Sequence, residues 1–201
     1  MLLFAVGAGK ARWQSIPIMK KNSNLMTQLI VLSAIGTDRT GVVQDITKVV
    51  LGCGGNIEES RMTTLGAEFA VLMLVSGKWH TLDRLEKGLE KLTEGADLTF
   101  AIRKTGERRV REDRMPYAVD VVCLDQQGIV FGLANFFASR DVEIADLATR
   151  RYAAAHTGAP MFAVQMAINV PASINLALLR DDFAEMCDRM NLDAILDPVK
   201  G

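Results

Sequence analysis

The chain has 201 residues, of which 49% are hydrophobic and 23% charged, and its formal net charge is −1. Such a composition describes a globular protein of one or two domains, with core enough to need neither disulfides nor a structural metal. The basic excess with which DNA-binding domains meet phosphates is missing, so no direct, sequence-specific grip on nucleic acid is expected.

Residues 1–26 begin with an apolar stretch, Leu2–Val6, too short to span a membrane and without the basic region of a signal peptide. They read as an N-terminal extension outside the fold, with Met19 and Met26 as alternative starts. From Thr27 the pattern changes. "TQLIVLSAI" is a short run rich in branched apolar residues and reads as a strand that Gly36 ends. Val42, Ile46, Val49, Val50 and Cys53 then follow helical spacing, with Gln44, Asp45 and Lys48 opposite them and Gly54-Gly55 as the stop. "NIEESRMTTL" and "AEFAVLMLVS", on either side of Gly66, read as an antiparallel hairpin. Thr81 reads as the N-cap of a second helix striped by Leu82, Leu85, Leu89 and Leu92, and "DLTFAIRK" closes the unit as a strand.

The unit then recurs. Shifted by 87 residues, Asp38 falls on Asp125, Gly41 on Gly128, Ile46 on Leu133 and Ile57 on Ile144. After a six-residue insertion, "FAVLMLV" (69–75) meets "FAVQMAI" (162–168). A last helix is expected to start near Ser173 and to carry Ile174, Leu178, Phe183, Met186 and Met190. Two copies of βαββαβ are therefore expected, an α+β chain of tandem ferredoxin-like domains with antiparallel sheets and the helices on one face. The expected boundaries are 27–104 and 116–201, joined by a linker at 105–115. The stretch "RKTGERRVREDRMP" across the junction has six basic residues, three acidic ones and no aromatics, which reads as a solvated connection rather than a nucleic-acid patch.

The turn "GTDRTGVV" raises the functional question. A phosphate loop would place Lys and Ser/Thr after its last glycine; here Val42 and Val43 follow Gly41. What remains is a strand-to-helix turn whose amides at Gly41, Val42 and Val43 face the positive end of a helix dipole, an inventory suited to a small carboxylate. Asn56, at the start of the next strand, carries a donor and an acceptor for the other end of such a ligand. The plain alternative is structural, with Asp38 and Asn56 as turn residues and Gly41 as a packing glycine.

"DRTGVV" at the first turn and "GGNIEESRM" at the second strand resemble the ACT domain, a small regulatory module. Two such units in tandem, and the stretch "LGAEFAVLMLVSGKW" (65–79), resemble the glycine cleavage system transcriptional repressor family. The resemblance implies amino-acid binding at Asp38, Arg39, Thr40, Gly41, Val42, Val43 and Asn56, with glycine as the candidate. It further implies a cytoplasmic, non-enzymatic, homo-oligomeric regulator acting through a transcription-regulator protein, with no cofactor, no metal and no membrane. The family's turn commonly reads Asp-Arg-Pro-Gly, and Thr40 replaces the proline. The second copy offers Asp125, Gln127, Gly128, Ile129 and Glu143; it loses the charge of Arg39 and puts a carboxylate where Asn56 stood. An alternative kept open is a regulatory or dimerisation module of a one-carbon or folate enzyme, such as formyltetrahydrofolate deformylase, with vestigial sites. Cys53, Cys123 and Cys187 are too widely spaced for a zinc or redox motif and read as core thiols, as the methionines read as core filler. Neither His80 nor His156 has metal-ligand spacing, and Asp38, Asp125, Glu143 and His156 form no evident acid–base constellation.

Overall fold

A computed structural model describes residues 27–94, 97–107 and 113–199; the expected N-terminal extension and the middle of the expected linker lie outside them. The chain divides into two compact units between residues 108 and 109.

In the first unit β1 (Gln28–Thr37), α1 (Val42–Gly52), β2 (Asn56–Leu65), β3 (Glu68–Gly77), α2 (Trp79–Thr93) and β4 (Leu98–Thr105) follow in order. They form an antiparallel sheet ordered β2-β3-β1-β4. The second unit repeats the plan with β5 (Arg114–Leu124), α3 (Ile129–Ala138), β6 (Glu143–Ala153), β7 (Pro160–Pro171), α4 (Leu176–Met190) and β8 (Asp193–Pro198), ordered β6-β7-β5-β8. This is the expected α+β, ferredoxin-like arrangement in tandem.

Strand periodicity of two explains the core. Ile30, Leu32 and Ala34 of β1 and Phe69, Val71, Met73 and Val75 of β3 are buried on one face, against Val42, Ile46 and Val50 of α1 and Leu82, Leu85 and Leu89 of α2. In the second unit Val119, Val121, Val164, Met166 and Ile168 meet Leu133, Phe136 and Phe137 of α3 and Leu179, Phe183 and Met186 of α4. Each such Val, Leu, Ile, Met or Phe side chain contributes about 1.5–3 kcal/mol when removed from water. The repeat extends to irregularities: β2 bulges between Ile57 and Glu59, and β6 between Ile144 and Asp146, the corresponding positions.

Several local expectations shift. β1 runs through Gly36, which pairs with both Phe69 and Leu98. Glycine is needed there because a Cβ would lie 2.0 Å from the Asp97 carbonyl oxygen, not because the strand stops. The second helix begins at Trp79, so Thr81 is a buried residue of its first turn rather than its cap, packed on the bare Cα of Gly77. α4 begins at Leu176 and is capped by Asn175, whose side-chain oxygen accepts from the amides of Ala177 (3.0 Å) and Leu178 (3.3 Å). The expected stripe holds at Phe183 and Met186, but Leu179, 2% exposed, takes the buried place expected of Leu178, which is 60% exposed. Arg114, read from sequence as a linker charge, belongs to β5 and pairs with Asp141 at 2.8 Å. The six-residue insertion lengthens the β6–β7 hairpin, whose strands are joined by 154–159 where Gly66-Ala67 join β2 and β3.

The three cysteines are free and buried. Burial raises all three thiol pKa values, against the field of Arg84 for Cys53 and with the help of Asp125 for Cys123 and Asp188 for Cys187, which reaches about 11. At pH 8 only about one Cys187 in a thousand is thiolate. Iodoacetamide at that pH is expected to leave all three unmodified in the native protein and to alkylate them in urea; mass spectrometry of both samples checks this. Asn175→Ala should cost about 1 kcal/mol in urea unfolding through loss of the cap, while Ser173→Ala should change stability by less than about 0.5 kcal/mol.

Candidate functional site

The loop between β1 and α1 is held by its backbone. The Asp38 amide donates to the Ala67 carbonyl of the hairpin turn (3.0 Å), and the Thr37 hydroxyl donates to Asp97 (2.9 Å). Gly41 is the N-cap of α1 at φ 91° and ψ −6°, a left-handed conformation that side-chain-bearing residues adopt only at a cost. The helix has no side-chain cap. The Val42 amide is engaged by the Arg39 carbonyl at 3.3 Å, and the amides of Gly41 and Val43 have no acceptor among the described residues. These two donors, with the Gln44 amide beside them, stand open at the positive end of the α1 dipole.

Arg39 does not extend toward this opening as a free cation. Its guanidinium donates to Asp45 in the first turn of α1 at 2.6 Å, both side chains being partly exposed. Asp45 is a residue of the loop environment that sequence reading placed only on the polar face of the helix. Asp38, Thr40 and Gly41 complete the cluster, so six of the seven expected residues are brought together.

Asn56 is not among them. It pairs with Ser76 on β3, which pairs with Leu29 at the start of β1, whereas the loop follows Thr37 at the end of that strand. The separation along β1 is roughly 26 Å at about 3.3 Å per residue, so no ligand of glycine's size touches both within one unit. Asn56 instead donates its amide to Glu58 in the bulge (3.0 Å), which also accepts from the Ser76 hydroxyl. These two bonds, Ser76's the stronger influence, hold the Glu58 carboxyl below the usual range.

The second loop has the same backbone. Gly128 caps α3 at φ 88° and ψ 0°, and the Asp125 amide donates to the Pro160 carbonyl at 2.9 Å. Asp125, Gln127, Gly128 and Ile129 lie together, while Glu143 sits at the far end of the sheet and accepts from Asn169 (3.2 Å). Arg151 and Gln126, which sequence reading did not single out, bind this loop: Arg151 Nε lies 2.7 Å from Asp125, and Gln126 donates to the Met190 carbonyl at 2.8 Å. Among the described residues no three His, Cys, Asp or Glu side chains cluster to hold a metal ion, and no helix is long and apolar enough to cross a membrane.

Comparison with known proteins adds the family. Residues 28–103 match the ACT domain. The chain is 30% identical over 170 residues to the glycine cleavage system transcriptional repressor of Escherichia coli (strain K12), covering 85% of this chain and 90% of that protein. A crystal structure of an unknown protein from Galdieria sulphuraria is similar at a TM-score of 0.74 and 25% identity, covering 87% of this chain and 99% of that one. A second, of a protein provisionally assigned as a glycine cleavage system transcriptional repressor, has a TM-score of 0.66 and 28% identity over 88% of this chain and 99% of that one. With its two βαββαβ units in tandem and this extent of shared sequence, the chain belongs to the ACT-domain family of the glycine cleavage system transcriptional repressor.

Proposed function

We propose that the protein is a non-enzymatic regulator that senses a small amino acid, with glycine as the first candidate, and controls glycine cleavage genes through a partner transcription regulator. The observation that carries this reading is the open pair of amides at Gly41 and Val43, in a chain related to the Escherichia coli repressor over 90% of that protein's length.

The ligand carboxylate takes the two free amides at the N-terminus of α1, and Gly41 admits it because no Cβ stands over the backbone. Asp38, the acid of the same loop, is the partner for the ammonium; Asn56 is too far along the sheet to serve in the same unit. Binding shifts regulation only as far as the amino acid prefers one state of the protein or of its partner complex over the other. A net charge of −1 gives the chain little nonspecific hold on DNA, which is the reason to assign DNA contact to the partner. A cytoplasmic homo-oligomer is the working form in this reading.

Glycine binding is limited by ligand size. At a ceiling of about −1.5 kcal/mol per heavy atom the Kd is no tighter than a few micromolar, and a value on the order of 10 micromolar to millimolar is expected. Calorimetry should detect this in the wild type and no heat of binding in Gly41→Leu, whose side chain covers the amides, while circular dichroism shows both folded. Equal binding by Gly41→Leu refutes the site. Mobility shift with the purified protein alone should show weak, salt-sensitive DNA binding without sequence preference; tight promoter-specific binding near physiological salt without a partner refutes the division of labour.

A further inference from the structure

We infer that the two loops have diverged into one open loop and one latched loop: Arg151 and Gln126 fasten the second to its neighbours, leaving the first as the loop free to respond to a ligand.

The comparison is controlled because the backbones share their turn geometry, differing in the Val42 amide, which the Arg39 carbonyl engages at 3.3 Å in the first loop alone among the described residues. Gly41 and Gly128 share their left-handed geometry, and Asp38 and Asp125 donate their amides to corresponding hairpin carbonyls. The differences are in what holds the side chains. In the second unit, Arg151 lies opposite Phe162 on β7, the place that Thr64 occupies opposite Phe69 in the first. A hydroxyl residue is thus exchanged for a cation, and that cation binds the loop acid at 2.7 Å. The loop acid of the second unit is neutralised before any ligand ammonium arrives.

The second fastening is on the other side. Arg39 in the first loop turns back to Asp45 of its own helix. The corresponding pair in the second unit is Gln126 and Gly132. Gln126 instead reaches α4 and donates to the carbonyl of Met190, one of the last carbonyls that a helix leaves without an internal donor. Gly132 makes room for the same residue: a Cβ there would lie 2.6 Å from Met190 Cε. The Met190 thioether therefore rests on the first turn of α3. The acid, the turn residue after it and the start of the helix are each engaged by another element of the unit. In the first unit the acid Asp38 has no such partner among the described residues and Arg39 pairs within the loop and its own helix; the side-chain tie to another element lies earlier, at the end of β1, where Thr37 donates to Asp97 (2.9 Å).

On the amino-acid reading above, this gives one ligand per chain, bound by the first unit. The test separates the two claims. Hydrogen exchange, read residue by residue by NMR on the full chain without any amino acid, compares hydrogen-bonded amides at corresponding places: Asp125 and Gly132 against Asp38 and Asp45. Protection factors, corrected for intrinsic rates, should be on the order of fivefold higher in the second loop, the size expected of one surface ion pair plus one hydrogen bond. The double variant Arg151→Ala, Gln126→Ala should bring them down to the level of the first loop, while β7 amides stay unchanged as a control for folding. Equal protection in the wild type, or no change in the variant, overturns the latch. Glycine is then titrated into the wild type. Shifts confined to 37–45 support one site per chain, shifts at 125–132 overturn the latch, and no shift anywhere refutes the glycine reading while leaving the exchange result to stand.

Discussion

Both candidate loops depend on a strand that turns into a helix within four residues, the last of them at positive φ. Gly41 at 91° and Gly128 at 88° make that reversal. A residue with a Cβ is disfavoured there, and a side-chain cap is absent, so the first amides of each helix are exposed at the point where its dipole is most positive. One backbone constraint therefore sets the direction in which each helix runs back over its sheet and creates the opening that a carboxylate can fill.

Around that shared constraint the two units solve the same problems with different chemistry. After α1 the chain turns through Gly54 at φ 77°, which needs no support. After α3 the corresponding residue is Asp141 at φ 54°, and there Arg114 donates to both its carbonyl and its carboxylate. The strain of a left-handed aspartate, of order 1–2 kcal/mol, is offset by charge-assisted hydrogen bonds from a largely buried guanidinium. The loops diverge similarly, from a local Arg39–Asp45 pair to contacts that tie the second loop to β6 and α4. The two copies share the turn backbone and differ in the side chains that hold it.

The separation of Asn56 from the loop is a consequence of topology. Because α1 carries the chain back from one end of the sheet to the other, whatever follows it starts at the pole opposite the turn that precedes it. Asn56 and Glu143 are therefore bound to their own poles, where each makes local hydrogen bonds beside a bulge. Closeness in sequence to the turn does not bring Asn56 to the loop of its own unit, since a helix of this length carries the chain across the domain.

The sequence by itself determined the repeat, the order of elements and which faces are buried, because the periods of two and 3.6 and the 87-residue offset are local properties of the chain. It also marked the turn, since glycine adopts the left-handed position of Gly41 and Gly128 without the cost that a Cβ brings. Element ends were less legible: α4 starts at Leu176 behind its Asn175 cap rather than near Ser173, and Thr81 is buried rather than capping α2, because neighbouring packing chooses among adjacent candidates. Only the tertiary structure decided which residues share a site. Arg151 and the Met190 carbonyl reach the second loop through strand register and helix packing, and Asn56 is held away from the first loop of its own unit by the same means. Contacts between residues far apart in sequence depend on how the sheet and helices are laid together, and no local pattern records that.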